Sequence, residues 1–155
     1  MTTTYQSTGG TAAGIGTRIA LTFVGAAGLI VGPFMEWVAK IDGTKLGIKA
    51  LWRTTFVSTN TFVSTVGFAT IVLGLVALVG LAMGTGWLTR LAGAVAIVGF
   101  ILFAIELFRA SGDETIGTGA WIALAGGIVT VIAGFFGPQP RQVITAPSTT
   151  VVNED

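Results

Sequence analysis

At 155 residues the chain has the length of one soluble domain, yet 52% of it is apolar and only 10% charged, against roughly a quarter charged in an ordinary soluble domain. So few charges cannot clothe a water-exposed surface. With neither cysteine nor histidine, thiolate zinc sites, iron–sulfur clusters, His-ligated haem and Cys/His or Ser/His/Asp catalytic arrangements are excluded, and a net charge of +1 offers no case for nucleic-acid binding.

The apolar residues gather into four stretches of about 19–22 residues, the length of helix that crosses a hydrocarbon layer about 30 Å thick. The reading is an all-α membrane protein: an antiparallel bundle of four transmembrane helices over about 17–37, 62–84, 87–108 and 119–137. A long loop at 38–61 joins the first two. Residues 1–16, rich in Thr, Ser, Gly and Ala, and residues 138–155, which follow Pro138 and Pro140, are expected to be disordered tails. The N-terminus lacks the basic region of a secretory signal.

The first span carries Gly25, Gly28 and Gly32 on one helical face, and Gly28-x-x-x-Gly32 is a close-approach motif for another helix. Pro33 removes a backbone donor and loosens the last turn just before Glu36 and Trp37. The stretch from Val38 to about Thr61 permits two readings. Trp37, Ala39 and Ile41 alternate before an Asp42-Gly43 turn signal, and Leu46, Ile48, Ala50 and Trp52 share one side of a following strand, which makes a small β-hairpin. Alternatively, Ile48, Leu51, Trp52 and Phe56 follow helical spacing with Lys45, Lys49 and Arg53 on another face, which makes an interfacial helix. In either form Trp37, Leu46, Ile48 and Trp52 are a candidate docking surface.

The second span opens with Ser64 and Thr65, whose hydroxyls either bond back to their own helix or begin a polar pathway. It closes on Gly80 and Gly84, again four residues apart, and Gly84-Thr85-Gly86 makes so short a turn that spans two and three form an antiparallel hairpin. Span three has Arg90 near one end and Glu106 near the other, where charged heads reach the interface. Glu106 precedes Arg109 by three residues and Glu36 precedes Lys40 by four, both helical pairing distances. Spans one and three run parallel, so Glu36, Lys40, Glu106 and Arg109 form a charge cluster at one face: an interfacial set of ion pairs, or a carboxylate site. On span four, Gly126, Thr130 and Gly134 lie four apart with Ala123 and Gly127 alongside, a small-residue ridge for packing within the bundle or between subunits.

Orientation has two indicators that disagree. Five of the eight Lys and Arg residues (Lys40, Lys45, Lys49, Arg53 and Arg109) lie on the side of the long loop, which puts that loop in the cytoplasm. The run PFMEWV, followed by Gly43, Gly47 and Leu51-Trp52 ahead of a second apolar segment, resembles the first-loop pattern of small uncharacterised four-span membrane proteins of high-GC Gram-positive bacteria. Its layout alone is similar to claudin-like tetraspans, whose paired cysteines are missing here. That resemblance implies termini inside and the long loop outside, and we follow it.

The functional expectation is a non-enzymatic small integral membrane protein, an accessory or structural subunit that meets a larger membrane complex or a second copy through its glycine-rich faces. The alternative is a small oligomeric channel or transporter component. No cofactor or metal is expected, and the expected partners are the lipid bilayer and other membrane subunits, not nucleic acid.

Overall fold

The computed structural model describes residues 12–136 except 39, 55, 57 and 111–114. Most of it is helix. The four helices are α1 (Ala12–Val31), α2 (Val66–Ala82), α3 (Gly86–Arg109) and α4 (Thr118–Phe135). Two short strands, β1 (Glu36–Val38) and β2 (Ile41–Asp42), pair antiparallel between α1 and α2. Three helical stretches are long and apolar enough to cross a membrane: Gly14–Phe34, Gly86–Arg109 and Thr118–Phe135. The fourth, α2, is shorter at 17 residues.

Each helix packs on two others, α1 on α2 and α4, α3 on α2 and α4, while the diagonal pairs barely touch. The tightest seam runs between α1 and α4, where the glycines of both helices bring the two backbones together. A β-carbon on Gly28 would lie 2.9 Å from Gly126 Cα, and one on Gly126 would lie 2.7 Å from Gly25 O. Gly32 sits equally close to Gly119 O, at 2.9 Å, and Gly25 abuts Thr130. On its other side α4 meets α3 through Gly127 and Gly134, the latter against Arg90 and Gly86, and Gly80 of α2 abuts Thr89 of α3. The expected ridge residues Gly25, Gly28, Gly32, Gly80, Ala123, Gly126, Gly127, Thr130 and Gly134 therefore lie at helix contacts or beside them inside one chain, Gly28 half-buried and the others buried.

Gly84 is a correction. A side chain there would meet nothing within 4 Å, and its φ of +71° places it in the left-handed region. Its role is to end α2 and reverse the chain, a conformation glycine adopts without steric cost.

Pro33 ends α1 earlier than the hydropathy extends. The helix stops at Val31, a single 3-10 turn covers Gly32–Phe34, and Glu36 and Trp37 lie in a strand instead of in the helix. At the other end α1 begins at Ala12, so residues 12–16, read as tail, are helical. The second helix begins only at Val66, because Thr65 is extended and caps it, accepting from Phe68 N at 3.1 Å. A 3-10 turn at Phe62–Ser64 precedes it. The terminal segments 1–11 and 137–155, including most of both expected tails, lie outside the described residues.

The expected hairpin exists, but its reversal falls elsewhere. Glu36 faces Asp42 and Val38 faces Ile41, with Lys40 at φ 64° in the turn. Asp42 is the last residue of β2 and Gly43 follows it, lying under the Trp37 ring, where a β-carbon would be 2.7 Å from Nε1. The segment read as a second strand is instead a 3-10 helix at Ile48–Leu51, flanked by single bridges from Leu46 to Ser58 and from Gly47 to Thr65. The observed hairpin is thus shorter than the expected one, and the four-residue 3-10 turn is not the helix through Phe56 that the alternative required.

The seam gives a quantitative expectation. Gly126→Ala forces α1 and α4 apart and should lower the unfolding free energy in mild detergent by about 1–3 kcal/mol, the usual cost of overpacking. Gly99→Ala enters open space and should be neutral or stabilise by up to about 1 kcal/mol through helix propensity. Titration of both variants with a denaturing detergent compares them directly.

Candidate functional site

The long loop closes one end of the helix assembly. Trp37 anchors it: its indole Nε1 donates to Gly32 O at 3.1 Å, a carbonyl just past the end of α1 that also accepts from Met35 N at 3.2 Å. Its ring meets Phe103 edge-on at 5.4 Å, and Phe56 meets Phe103 on another side at 6.1 Å. Val38, Leu46, Ala50, Leu107 and Ala120 complete this buried cluster.

Backbone bonds lock the cap to three helices. Gly43 O and Leu46 O accept from Gly67 N and Val66 N at 2.8 and 2.9 Å, filling the open amides at the start of α2. Thr44 N donates to Pro33 O at 2.9 Å, and Gly117 N, at the start of α4, donates to Trp37 O at 2.7 Å.

This geometry corrects the docking surface. Trp37 is 2% exposed and Leu46 is fully buried, because both fill the space under the cap. Ile48 is half-buried, and only Trp52, at 57%, stands out. The outer side of the cap carries a groove of about 530 Å³ lined by Ile48, Lys49, Arg53, Ser58, Thr59 and Ser64, among others.

The charge cluster also divides. Arg109 donates to Glu106 at 3.3 Å, as helical spacing predicts. Glu36 and Lys40 are not paired, because the chain is a strand and a turn there, not a helix, and four residues no longer bring two side chains together. Lys45 pairs instead with Asp42 at 3.3 Å. Among the described residues no three carboxylates gather as a metal site would require.

Most hydroxyls in the helices bond locally, while Thr89 of α3 also reaches Ala77 O of α2 at 3.5 Å. Thr22 donates to Arg18 O at 2.8 Å, Thr130 to Gly126 O at 2.7 Å, and Thr70 to Gly67 O at 2.9 Å. Ser64 and Thr65 donate to Thr61 O and Phe62 O, so of the two readings for that pair the local one describes them. Beside Thr70, a cavity of about 90 Å³ lies between the helices, lined largely by apolar side chains that include Leu73, Val95, Ala96 and Phe100.

The opposite end, where α1 starts, α2 turns into α3 and α4 finishes, holds two arginines. Arg90 Nε donates to Gly134 O at 2.8 Å and its guanidinium lies over the Phe135 ring, 4.3 Å from the centroid. Arg18 is only 5% exposed. Its Nη1 donates to Gly84 O at 3.3 Å, while Nε and Nη2 are buried without a hydrogen-bond partner.

The first span as read from hydropathy begins at about residue 17, so Arg18 falls in its opening turn, where nothing singles it out. The signal for its burial was nonetheless present: Arg18, Gly25 and Gly32 are seven residues apart, so the arginine shares the face that packs on α4.

Comparison with protein-family models, curated proteins and solved structures returns no match. The geometry therefore carries the functional argument by itself.

Burial separates the two loop tryptophans. Trp37→Ala removes a fully packed aromatic and the bond to Gly32 O, and should cost about 3–5 kcal/mol of stability. Trp52→Ala should change stability by about 0.5 kcal/mol or less, as exposed positions do. Thermal unfolding of the purified chain followed by intrinsic fluorescence distinguishes them.

Proposed function

We propose that this chain is a four-span membrane protein of the cell membrane, an antiparallel bundle whose role is non-enzymatic: an accessory or structural subunit beside a larger membrane complex or a second copy of itself. The observation that carries this reading is the chemistry of the outward helix faces. Phe23, Val24 and Val31 on α1, Leu75 and Val79 on α2, Val95, Val98 and Leu102 on α3, and Ile128 and Ile132 on α4 are all exposed. An apolar belt around every helix is what lipid requires and water opposes.

Two further features support the same reading. Exposed aromatics mark both ends: Trp87 and Phe135 at the end with the short turn, Trp121, Phe34 and Phe108 at the end with the long loop. From Trp87 to Phe108 the rise along α3 is about 30 Å, the thickness of a hydrocarbon core. The 17-residue α2 covers about 25 Å by the same rise, and the 3-10 turn at Phe62–Ser64 before it lengthens the apolar path enough to make a fourth span.

Because the glycine faces are occupied within the chain, contact with a partner falls to the outer surface. On α3, Leu91, Val95, Val98, Leu102 and Ile105 are exposed at alternating spacings of four and three, the seam on which a second helix packs. We follow the family resemblance in placing the termini in the cytoplasm.

Two measurements test this. The chain contains no cysteine, so Thr54→Cys in the long loop and Met83→Cys at the short turn, both exposed, report sidedness cleanly. An impermeant maleimide should label Thr54→Cys in intact cells and Met83→Cys only after permeabilisation; the reverse pattern overturns the orientation, and release of the chain by alkaline carbonate overturns the membrane reading. Purification in mild detergent should retain a partner subunit or a second copy, and a solitary monomer overturns the accessory role.

A further inference from the structure

We propose that the Arg18 guanidinium anchors a phosphate-binding site at the end of the molecule formed by the start of α1, the α2–α3 turn and the end of α4. The motivation is an unbalanced charge. Arginine stays protonated and offers five N–H donors. Here a single hydrogen bond, from Nη1 to Gly84 O, is made, and Nε and Nη2 are enclosed without partners. A buried cation without a counter-ion is among the costliest features a fold can hold.

No counter-ion for it exists among the described residues. Their carboxylates are Glu36, Asp42 and Glu106, and all three belong to the opposite, long-loop end: Glu36 and Asp42 face each other in the hairpin, and Glu106 pairs with Arg109 at the last turn of α3. The second arginine of the Arg18 end brings no negative charge. It is itself held by the carbonyl of Gly134 and the ring of Phe135.

The fold holds Arg18 in place. Its backbone carbonyl accepts from the fully buried Thr22, and its side chain is clamped to the Gly84 carbonyl, which the left-handed turn presents to it. Gly84 is thus both the helix stop and the positioning contact. What remains unused is the Nε/Nη2 edge, two parallel N–H donors in the fork that matches two oxygens of one phosphate. A phosphate is the better occupant than a neutral acceptor because it supplies the missing charge as well as both hydrogen bonds. At a membrane surface the abundant phosphate is that of a lipid headgroup, and exposed Trp87 and Phe135 at this end mark the depth at which headgroups lie. The lipid source rests on the membrane reading proposed above; a free phosphate in the same fork does not.

The test uses the full chain in a mild, uncharged detergent, titrated with short-chain phosphatidylglycerol, with inorganic phosphate and with a short-chain diacylglycerol that lacks phosphate. Thermal stability and retention of bound lipid in native mass spectra are the readouts. The wild-type chain should be stabilised by phosphatidylglycerol and not by diacylglycerol. Arg18→Met, which keeps the length of the side chain and removes the charge, should bind the phospholipid about tenfold or more weakly, the effect of losing a charge-assisted pair. Arg18→Lys keeps the charge without the fork and should fall between the two, which keeps the test decisive if the methionine variant does not fold. Lys45→Gln removes a cation at the far end and should leave the response unchanged.

Stabilisation by inorganic phosphate equal to that by phosphatidylglycerol identifies a free anion as the occupant, and preference for the lipid identifies the headgroup. The proposal is overturned if neither phosphate stabilises the wild type, or if Arg18→Met and Arg18→Lys respond as the wild type does. It is equally overturned if the phosphate response appears only after Glu154→Gln and Asp155→Asn are combined, since the chain's own carboxylates would then be the counter-ion. Correct maleimide sidedness together with a failed titration rejects this site alone and leaves the membrane reading standing.

Discussion

The close approach of α1 and α4 is the constraint on which the remaining structure depends. On the membrane reading proposed above, apolar side chains gain nothing by leaving lipid for a protein interior, and helices associate where backbones come near enough for dense van der Waals contact. Gly25, Gly28 and Gly32 on one side and Gly119, Ala123 and Gly126 on the other permit that approach. Neither helix contributes the glycines alone, and the seam requires both sets in register. With α1 and α4 joined, α4 presents Gly127 and Gly134 to α3, and the short Gly84 turn brings α2 back beside α1.

The cap at the long-loop end follows from a second constraint, the unsatisfied backbone at helix ends. Pro33 stops α1, and the carbonyls just past its end are met by Met35 N and Trp37 Nε1 at Gly32 O and by Thr44 N at Pro33 O. The start of α2 has the converse problem, and Gly43 O and Leu46 O answer it. One loop thus repairs the end of one helix and the beginning of the next, and the tryptophan that does so is held from behind by Phe103. This explains why a segment rich in Trp and Lys, which has the composition of an exposed recognition loop, puts its most distinctive residue inside.

Association with a partner and internal packing draw on the same small residues, and here internal packing has used them. The small-residue ridge, read as packing within the bundle or between subunits, is in this fold an intramolecular seam. The outer surface that remains is aliphatic and aromatic, and its regular α3 stripe is set apart from the rest by spacing rather than by composition.

Hydropathy length, the Gly-x-x-x-Gly spacing and Pro33 determined by themselves that the chain is built of apolar helices, which of their faces are narrow, and that the backbone is perturbed at Pro33, though not that α1 stops at Val31, short of Glu36 and Trp37. These are local properties: one residue type sets each, whatever surrounds it. Tertiary structure alone decided the turn of the hairpin, since the Asp42-Gly43 signal is overridden by the need to place a glycine under Trp37. It decided that Glu36 and Lys40 do not pair, because helical spacing has no meaning once the backbone is a strand. It also decided the state of Arg18, whose face was legible from its seven-residue spacing to Gly25. Its guanidinium is held by Gly84 O, 66 positions away in sequence, and no local pattern records which distant carbonyl will meet a side chain.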